Sequence, residues 1–443
     1  MLGAKLKTFL PLFVVANSIS WFLLTMVTIM DLPNDTHFSG TNTFYVVSIP
    51  YFVALLFSAL IGATLLAQKL KEKLFLTLWI LWGVLSSLLT YFFLVPQTNW
   101  VILGVISFIL GGSVGLGIPM CLSMFANQTK KEQLGRIGAA LFFIIQIMTA
   151  IILFSLGESS IDYKFLVFSI WRILGLSGIF FLIEIKNNDK EQKLALLKIL
   201  RDRTFILYFL PWFMFALINF MLTPLVKGYM DGIDSNYYSN YNLATLVITS
   251  FTAIAAGFLC DLKGRKAAGI VGFVLLGIGY AFLSLIPQIA GDLVAIILFT
   301  VFDGLAWGFL YVNFVFVVWG DLSEISNREK YYFLGGIPFL LSGFVQVIAQ
   351  SLTPLKPNVG SAFSLASFLL FIATLPLLYA PESLSDKLMK SRDLFNYVNK
   401  ALKKVQKEKE TDQHEKEEKD EDENEAEETP EEIEARKLAE KYY

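Results

Sequence analysis

The sequence predicts an all-α membrane protein: twelve transmembrane helices as two six-helix bundles, a 6+6 repeat, followed by a charged cytoplasmic tail. Three observations carry this. The 443 residues are 55% hydrophobic and only 17% charged, more apolar material than a soluble core of that size uses. Apolar runs of about 20 residues, the length that crosses a bilayer core as a helix, recur twelve times. The basic residues between them alternate: nineteen fall in one set of connections and three in the other, which is the positive-inside pattern of a chain that re-crosses the membrane at every span.

The first run, 9–30, follows Lys5 and Lys7 and superficially looks like a signal peptide. It is too long for an h-region and has no small-residue cleavage site, so a retained span is expected. Runs at 43–66, 74–95, 100–126, 137–156 and 164–185 complete the first six. The connection 186–203 opens with Lys186, Asn187, Asn188, Asp189 and Lys190, and its Leu194, Leu197 and Leu200 have the spacing of a short amphipathic helix on the membrane surface. Runs at 204–226, 243–260, 267–286, 293–319, 332–352 and 361–380 form the second six. The expected domains are therefore 1–185, a linker 186–203, 204–381, and a tail 382–443. Pro50, Pro119, Pro211, Pro224 and Pro338 fall near span ends or at kinks, which membrane helices tolerate.

The basic set comprises Lys5 and Lys7; Lys69, Lys71 and Lys73; Lys130, Lys131 and Arg136; six residues in 186–203; Lys263, Arg265 and Lys266; and Arg328 and Lys330. The other set holds Lys164, Lys227 and Lys356. Both termini are thus expected in the cytoplasm, with the chain multi-pass in the cell membrane.

The tail is chemically separate: 17 of the 38 acidic residues lie within 407–443. Residues 384–405 have the pattern of a basic amphipathic helix on anionic lipid. The run 407–428 cannot bury a core. Thr429-Pro430-Glu431-Glu432 has the form of a capping box opening a last helix. Asn34-Asp35-Thr36 is a glycosylation sequon in the first outer connection.

Composition also excludes classes of chemistry. Two cysteines (Cys121, Cys260) and two histidines (His37, His414) allow no disulfide framework, zinc pattern or histidine-centred site. No glycine loop followed by Lys-Ser/Thr is present to cradle a nucleotide phosphate. No enzyme activity, metal, cofactor or nucleic-acid partner is expected; the expected partners are a small molecule, the bilayer and, as a candidate coupling ion, the proton, with the protein a monomer.

Ionisable groups inside a span are expensive and are site candidates by default. Asp303 lies about 15 Å into its span at 1.5 Å per residue, in the setting Asp303-Gly-Leu-Ala-Trp307-Gly308. Desolvation favours the neutral form of a carboxyl, so a proton carrier is one reading and a structural pair the other. Arg172 lies within the sixth run and could pair with Asp303 or with carbonyls. Asn17, Gln146, Asn219, Asn313, Gln346 and Gln350 are neutral candidates, each equally readable as interhelical glue. Trp21, Trp212, Tyr280 and Trp307 offer stacking faces.

Residues 257–266 read Gly-Phe-Leu-Cys-Asp-Leu-Lys-Gly-Arg-Lys between the eighth and ninth runs. Gly257 permits close helix approach, Asp261 can oppose a neighbouring helix N-terminus, and Arg265 can pair with a carboxylate; Gly264 sits in the turn. Two further pairs, Glu132-x-x-x-Arg136 and Glu324-x-x-x-Arg328, occupy matched connections of the two halves and can close locally. The Gly257–Lys266 pattern, Gln133-Leu134-Gly135-Arg136-Ile137-Gly138, the twelve spans and the 6+6 division resemble the major facilitator superfamily of secondary transporters over about residues 1–380. The resemblance implies alternating access, a gate at 257–266, and a central cavity lined by the first, fourth, seventh and tenth spans, which would make Asp303 a cavity residue and set Asn17 opposite Asn219. The chain departs from the pattern after its second span, where Leu66 replaces the acid and no Gly-Arg pair follows, and in its fifth span, which lacks a Gly-Pro pair. The alternative is a transporter-fold sensor or lipid-handling protein.

Overall fold

The computed structural model describes residues 10–32, 41–94, 99–157, 159–182, 194–352, 358–384 and 429–442, and among these there is no β-strand. The chain divides into two compact units, one ending at Ser383 and one beginning at Leu384.

The first unit contains the spans. In chain order these are α1 (Leu12–Asp31); α2 (Thr41–Ile61, continuing through a π-helical turn Gly62–Leu66 to Lys69); α3 (Glu72–Phe93); α4 (Trp100–Gly115 and Ile118–Gln128); α5 (Leu134–Leu156); α6 (Ile161–Leu174 and Leu176–Ile179). The second set is α7 (Arg203–Asp231); α8 (Tyr237–Lys263); α9 (Arg265–Leu285); α10 (Asp292–Tyr311, a π-helical turn Val312–Val317, and Val318–Leu322); α11 (Arg328–Leu340 and Ser342–Leu352); α12 (Val359–Tyr379). Eleven of the described helices are long and apolar enough to cross a membrane. The sixth is not among them; it divides at Gly175, where a Cβ would press on Asn17 Oδ1. The remainder of its apolar run, 183–185, lies outside the described residues.

Packing repeats with a step of six. α2 packs on α4, α3 on α4 and α6, and α1 on α5 and α6. Correspondingly, α8 packs on α10, α9 on α10 and α12, and α7 on α11 and α12. Between the halves, α5 meets α8 and α2 meets α11, which are again equivalent pairs. The 6+6 architecture is therefore a repeat of contacts, with one inter-half seam on each side of a central axis. The halves share a continuous buried core.

The helices outrun the apolar runs where polar residues continue them. α8 begins at Tyr237 rather than 243 because Tyr237, Tyr238 and Tyr241 extend it, and α10 reaches Leu322 rather than 319 because Asp321 is buried there. α11 begins at Arg328 rather than 332, with Arg328 and Lys330 also buried. The predicted amphipathic linker helix is a single turn, Leu196–Leu200. Its buried residue is Ile199, while Leu197 is exposed. Leu194 N–H donates to Asn327 Oδ1 at 2.7 Å and Leu194 C=O accepts from Lys330 Nζ at 2.6 Å, which fixes this connection to the start of α11.

In the second unit the described helix, α13 (Pro430–Tyr442), is solvent-exposed and opens with the capping box read from sequence: Glu432 accepts from Thr429 N and Oγ1, both at 3.1 Å. The amphipathic stretch expected over 384–405, apart from Leu384, and the Asn34 sequon lie outside the described residues.

Candidate functional site

A cavity of about 280 Å³ lies between the halves, bordered by α1 and α5 on one side and by α7, α8, α9, α10 and α11 on the other. Asp303 lines it from α10. Its Oδ2 accepts from Tyr241 Oη at 2.7 Å and its Oδ1 from Trp307 Nε1 at 2.9 Å, one helical turn along. Both donors are neutral, so the carboxyl is positioned but not charge-paired by them. Trp307 stacks on Tyr311 with centroids 4.6 Å apart, and Tyr241 stacks on Phe299 at 5.6 Å. Asn219 joins from α7, its Oδ1 accepting from Tyr280 Oη at 3.1 Å, and Gln146 and Gln346 add amides from α5 and α11. Asp303, Asn219, Gln146 and Trp307 are thus brought together as expected. Toward the face remote from loop 257–266 the lining continues through Val226, Tyr238 and Asn242, at the far ends of α7 and α8.

Arg172 and Asn17 are elsewhere, and the pairing of Arg172 with Asp303 is not what the structure shows. Arg172 is fully buried inside the first half, its Nη1 donating to Asn17 Oδ1 at 3.2 Å and to Ser18 Oγ at 2.7 Å. The guanidinium lies between two indoles, 4.6 Å from the Trp21 ring centre and 4.2 Å from that of Trp79. Asn17 turns to α6, donating to Trp171 C=O at 2.6 Å, instead of facing Asn219. The π faces take the place of an acid as electrostatic partner, and the Arg172 Nε and Nη2 find no acceptor among the described residues. Trp21 is therefore a packing partner of Arg172, and Trp212 is likewise packed away, between Phe215 and Phe314. Because a buried cation is often replaceable by an apolar side chain of similar volume at no cost, Arg172→Met should keep the thermal unfolding midpoint at or above that of the parent. Arg172→Ala, which also removes the packed stem, should lower it. Loss of flux in a stable Met variant would place Arg172 in the working cycle.

The connections after α4, α8 and α10 meet, and there the halves are joined by a charged cluster. Asp261, at the end of α8, presents Oδ1 to Gly135 N–H at 2.9 Å and Oδ2 to Arg136 N–H at 3.0 Å. It thereby caps the N-terminus of α5 in the other half, where negative charge is favoured. Arg136 Nε adds a contact at 3.0 Å. Gly135 and Gly257 let the backbones touch: a Cβ on Gly257 would lie 2.6 Å from Gly135 C=O. Gly264 adopts φ +103°, which turns the chain so that α9 starts at Arg265. Arg265 is fully buried and donates through Nε to Asp321 at 2.6 Å and through Nη2 to Lys131 C=O at 2.7 Å, with Asp261 at 3.4 Å. The two local pairs take a different form. Arg136 meets only the backbone carbonyl of Glu132, at 3.5 Å, its carboxylate partner being Asp261, and Glu132 is exposed. Arg328 donates to Ser323 and reaches across to Asn127 of the first half, while the exposed Glu324 precedes the turn Ile325–Asn327. Both arginines thus find a side-chain partner across the seam, Arg136 in Asp261 and Arg328 in Asn127.

Three residues of this machinery were not anticipated. Asp321 pairs with Arg265 at the end of α10. Glu382 accepts from Arg265 N–H at 2.8 Å and Lys266 N–H at 3.3 Å, capping α9. Tyr241 holds Asp303. The tyrosines at 238 and 241 carry a usable signal, since three-residue spacing sets them on one helical face. The other two depend on long-range folding. Asn313 lies in the π-helical turn of α10 and accepts a weak contact from Cys260 Sγ at 3.7 Å, outside the cavity lining; Gln350 is also outside it.

Comparison with known proteins agrees with this architecture. Residues 11–318 match the model of the Major Facilitator Superfamily, and residues 204–442 that of the Sugar (and other) transporter family. No curated protein matches by sequence. Among solved structures, the proton:xylose symporter XylE bound to 6-bromo-6-deoxy-D-glucose superposes with a TM-score of 0.60 at 14% identity, covering 85% of this chain and 95% of its own. A single-residue variant of the E. coli fucose:proton symporter FucP gives 0.63 at 13% identity, with 86% and 98% covered. The human organic anion transporter MFSD10 gives 0.61 at 14% identity, with 84% and 98% covered. At these identities the likeness is one of fold, and it is the family model spanning α1 to the π-helical turn of α10 that makes this chain a member of the major facilitator superfamily.

Proposed function

We propose that the protein is a secondary active transporter that moves a small organic solute across the cell membrane by alternating access, with Asp303 carrying the coupling proton. The observation that carries this reading is the combination of a cavity between the halves, centred on one buried carboxyl, with a charged cluster that, among the described residues, joins the halves on one side of it only. A charge clamp at one face and a solute-sized space above it is the arrangement expected of a two-bundle transporter held in one of its two states. The basic face is taken as cytoplasmic from the distribution of Lys and Arg, which puts both ends of the chain inside and makes the state with the Asp261 cluster formed the outward-facing one.

The chemistry asked of the protein is modest. Solute entering from the far side meets the amides of Asn219 and Gln146 and the Trp307–Tyr311 pair. Changing the charge at Asp303 alters the cost of closing the cavity over it, because an uncompensated buried carboxylate is strongly disfavoured. That cost couples the occupancy of the site to the rocking of the halves. The test is uptake into vesicles of purified, reconstituted protein, over a panel of neutral, cationic and anionic metabolites, with and without an imposed pH difference. Flux that depends on the gradient for at least one solute is expected. Binding without flux for every solute would replace the transport reading by that of a sensor.

A further inference from the structure

Resting on that transport reading, we propose that the substrate is a small organic cation, an amine or quaternary ammonium compound, exchanged against a proton at Asp303.

The argument starts from charge. Among the described residues lining the central cavity, Asp303 alone is ionisable as an acid in the ordinary range, and no lysine, arginine or histidine is among them. A buried carboxylate with only neutral hydrogen-bond donors lacks the counter-charge that burial demands. Two species can supply it, a proton or a cationic ligand, and both must come from solution. An anionic solute would meet Asp303 with no basic side chain to offset it. The titratable groups facing Asp303 are phenols: Tyr238 and Tyr241 from α8, Tyr280 from α9 and Tyr311 from its own α10. The lining contributed by α1, α5, α7 and α11 is apolar, hydroxyl or amide. Lys227, whose Nζ lies 5.7 Å from the Tyr238 ring centre, is exposed near the outer end of α7, where water screens it.

The second strand of the argument is the aromatic surface. Trp307 and Tyr311 stack beside the acid, Tyr241 and Phe299 stack on its other flank, and Phe220 meets Trp307 edge-on at 5.7 Å. Aromatic faces around a carboxylate attract a soft, weakly hydrated cation through the ring quadrupoles. A neutral polyhydroxylated solute could use the amides of Asn219, Gln146 and Gln346, but it would leave the Asp303 carboxylate without a counter-charge. The Trp307 indole N–H and the Tyr241 hydroxyl are spent on holding Asp303 itself.

The exchange balances without a further reactant. In the empty site Asp303 carries a proton; the arriving cation takes its place as counter-charge, and the proton leaves to the side from which the cation came. The site is neutral in both cases, so either loaded form can be closed off from water. A doubly loaded form carries excess positive charge and an empty ionised form an uncompensated negative one, and both are disfavoured.

The experiment uses three probes of one shape in the intact, purified protein: choline, its neutral isostere 3,3-dimethyl-1-butanol, and the anion 3,3-dimethylbutanoate. Binding is read by Trp fluorescence at several pH values, together with flux of labelled choline in vesicles. Choline is expected to bind at least about tenfold more tightly than the neutral isostere, with apparent affinity falling as pH is lowered and the anion not binding. Asp303→Asn should abolish the preference for choline, and Asp303→Glu should retain it, which separates a lost charge from a misfolded cavity. Equal binding of the neutral isostere, preference for the anion, or a choline preference that survives in Asp303→Asn would overturn the proposal. So would flux of neutral or anionic solutes with neither choline nor any other amine carried, an outcome that leaves the transport reading standing. Absence of flux for solutes of all three charge classes would instead sink the transport reading, and this inference with it.

Discussion

Asp261→Ala is expected to unlock the basic face and shift the protein toward the state open there. The Asp261 side chain is 1% exposed and answers two backbone N–H groups of α5 as well as Arg136 and Arg265. These contributions are unequal. The Arg136 side chain is 44% exposed, so its ion pair is screened and worth little. The cap on α5 and the contact with the fully buried Arg265 carry the rest. Removing one member of such a buried charged set costs about 3–5 kcal/mol, and about 1.4 kcal/mol is tenfold in an equilibrium. A shift on the order of 100-fold or more between the two states follows. Arg136→Ala should move the balance by no more than about 1 kcal/mol. Cysteine accessibility at positions just inside the seam, such as Ala139, distinguishes the two variants: strong labelling in Asp261→Ala, weak in Arg136→Ala. Equal labelling would place the energy of the latch in the surface pair instead of the helix cap.

Asp303→Asn should abolish gradient-driven accumulation while leaving the protein folded. Asparagine is close in size to aspartate and its amide oxygen can accept from either Tyr241 Oη or Trp307 Nε1, so the local structure has a path to survive. What disappears is the exchangeable charge. No other acid lines the cavity among the described residues, so no substitute carrier is at hand. Accumulation against a gradient should fall to the background of protein-free vesicles, and the thermal midpoint should change by only a few degrees. Undiminished gradient-driven accumulation in the folded variant would remove Asp303 from the coupling step.

The sequence is most legible where function is local. Gly257, Asp261, Gly264 and Arg265 lie within one turn-forming stretch, and each does what its chemistry suggests: close approach, capping, a positive-φ turn and a carboxylate pair. Asp321 and Glu382 complete the same cluster from 56 and 117 residues away in the chain, and no local pattern announces them. The rotation of each membrane helix about its own axis is the other hidden quantity. A soluble helix shows its core face by an apolar stripe, whereas a membrane helix is apolar toward lipid as well as toward its neighbours. Asn17 and Asn219 occupy comparable helices, yet Asn219 faces the cavity and Asn17 faces α6. Depth alone left Asp303 open as a partner of Arg172, and helix placement separates them, since α6 packs on α1 and α3. The one-sided latch was readable because it is a difference between two stretches of sequence: Leu66 stands in the stretch after the second span where Asp261 stands in the stretch after the eighth.

The central claim is that this latch closes the basic face in one of two alternating states. Distance distributions between spin labels at Lys130 and Lys263 test it most directly; both positions are exposed on that face, and the native cysteines are buried. The parent protein should show a predominantly short distance, Asp261→Ala a second, longer population that dominates, and substrate or pH should move the parent between the two. A single unchanged distance in both proteins under every condition would contradict the account.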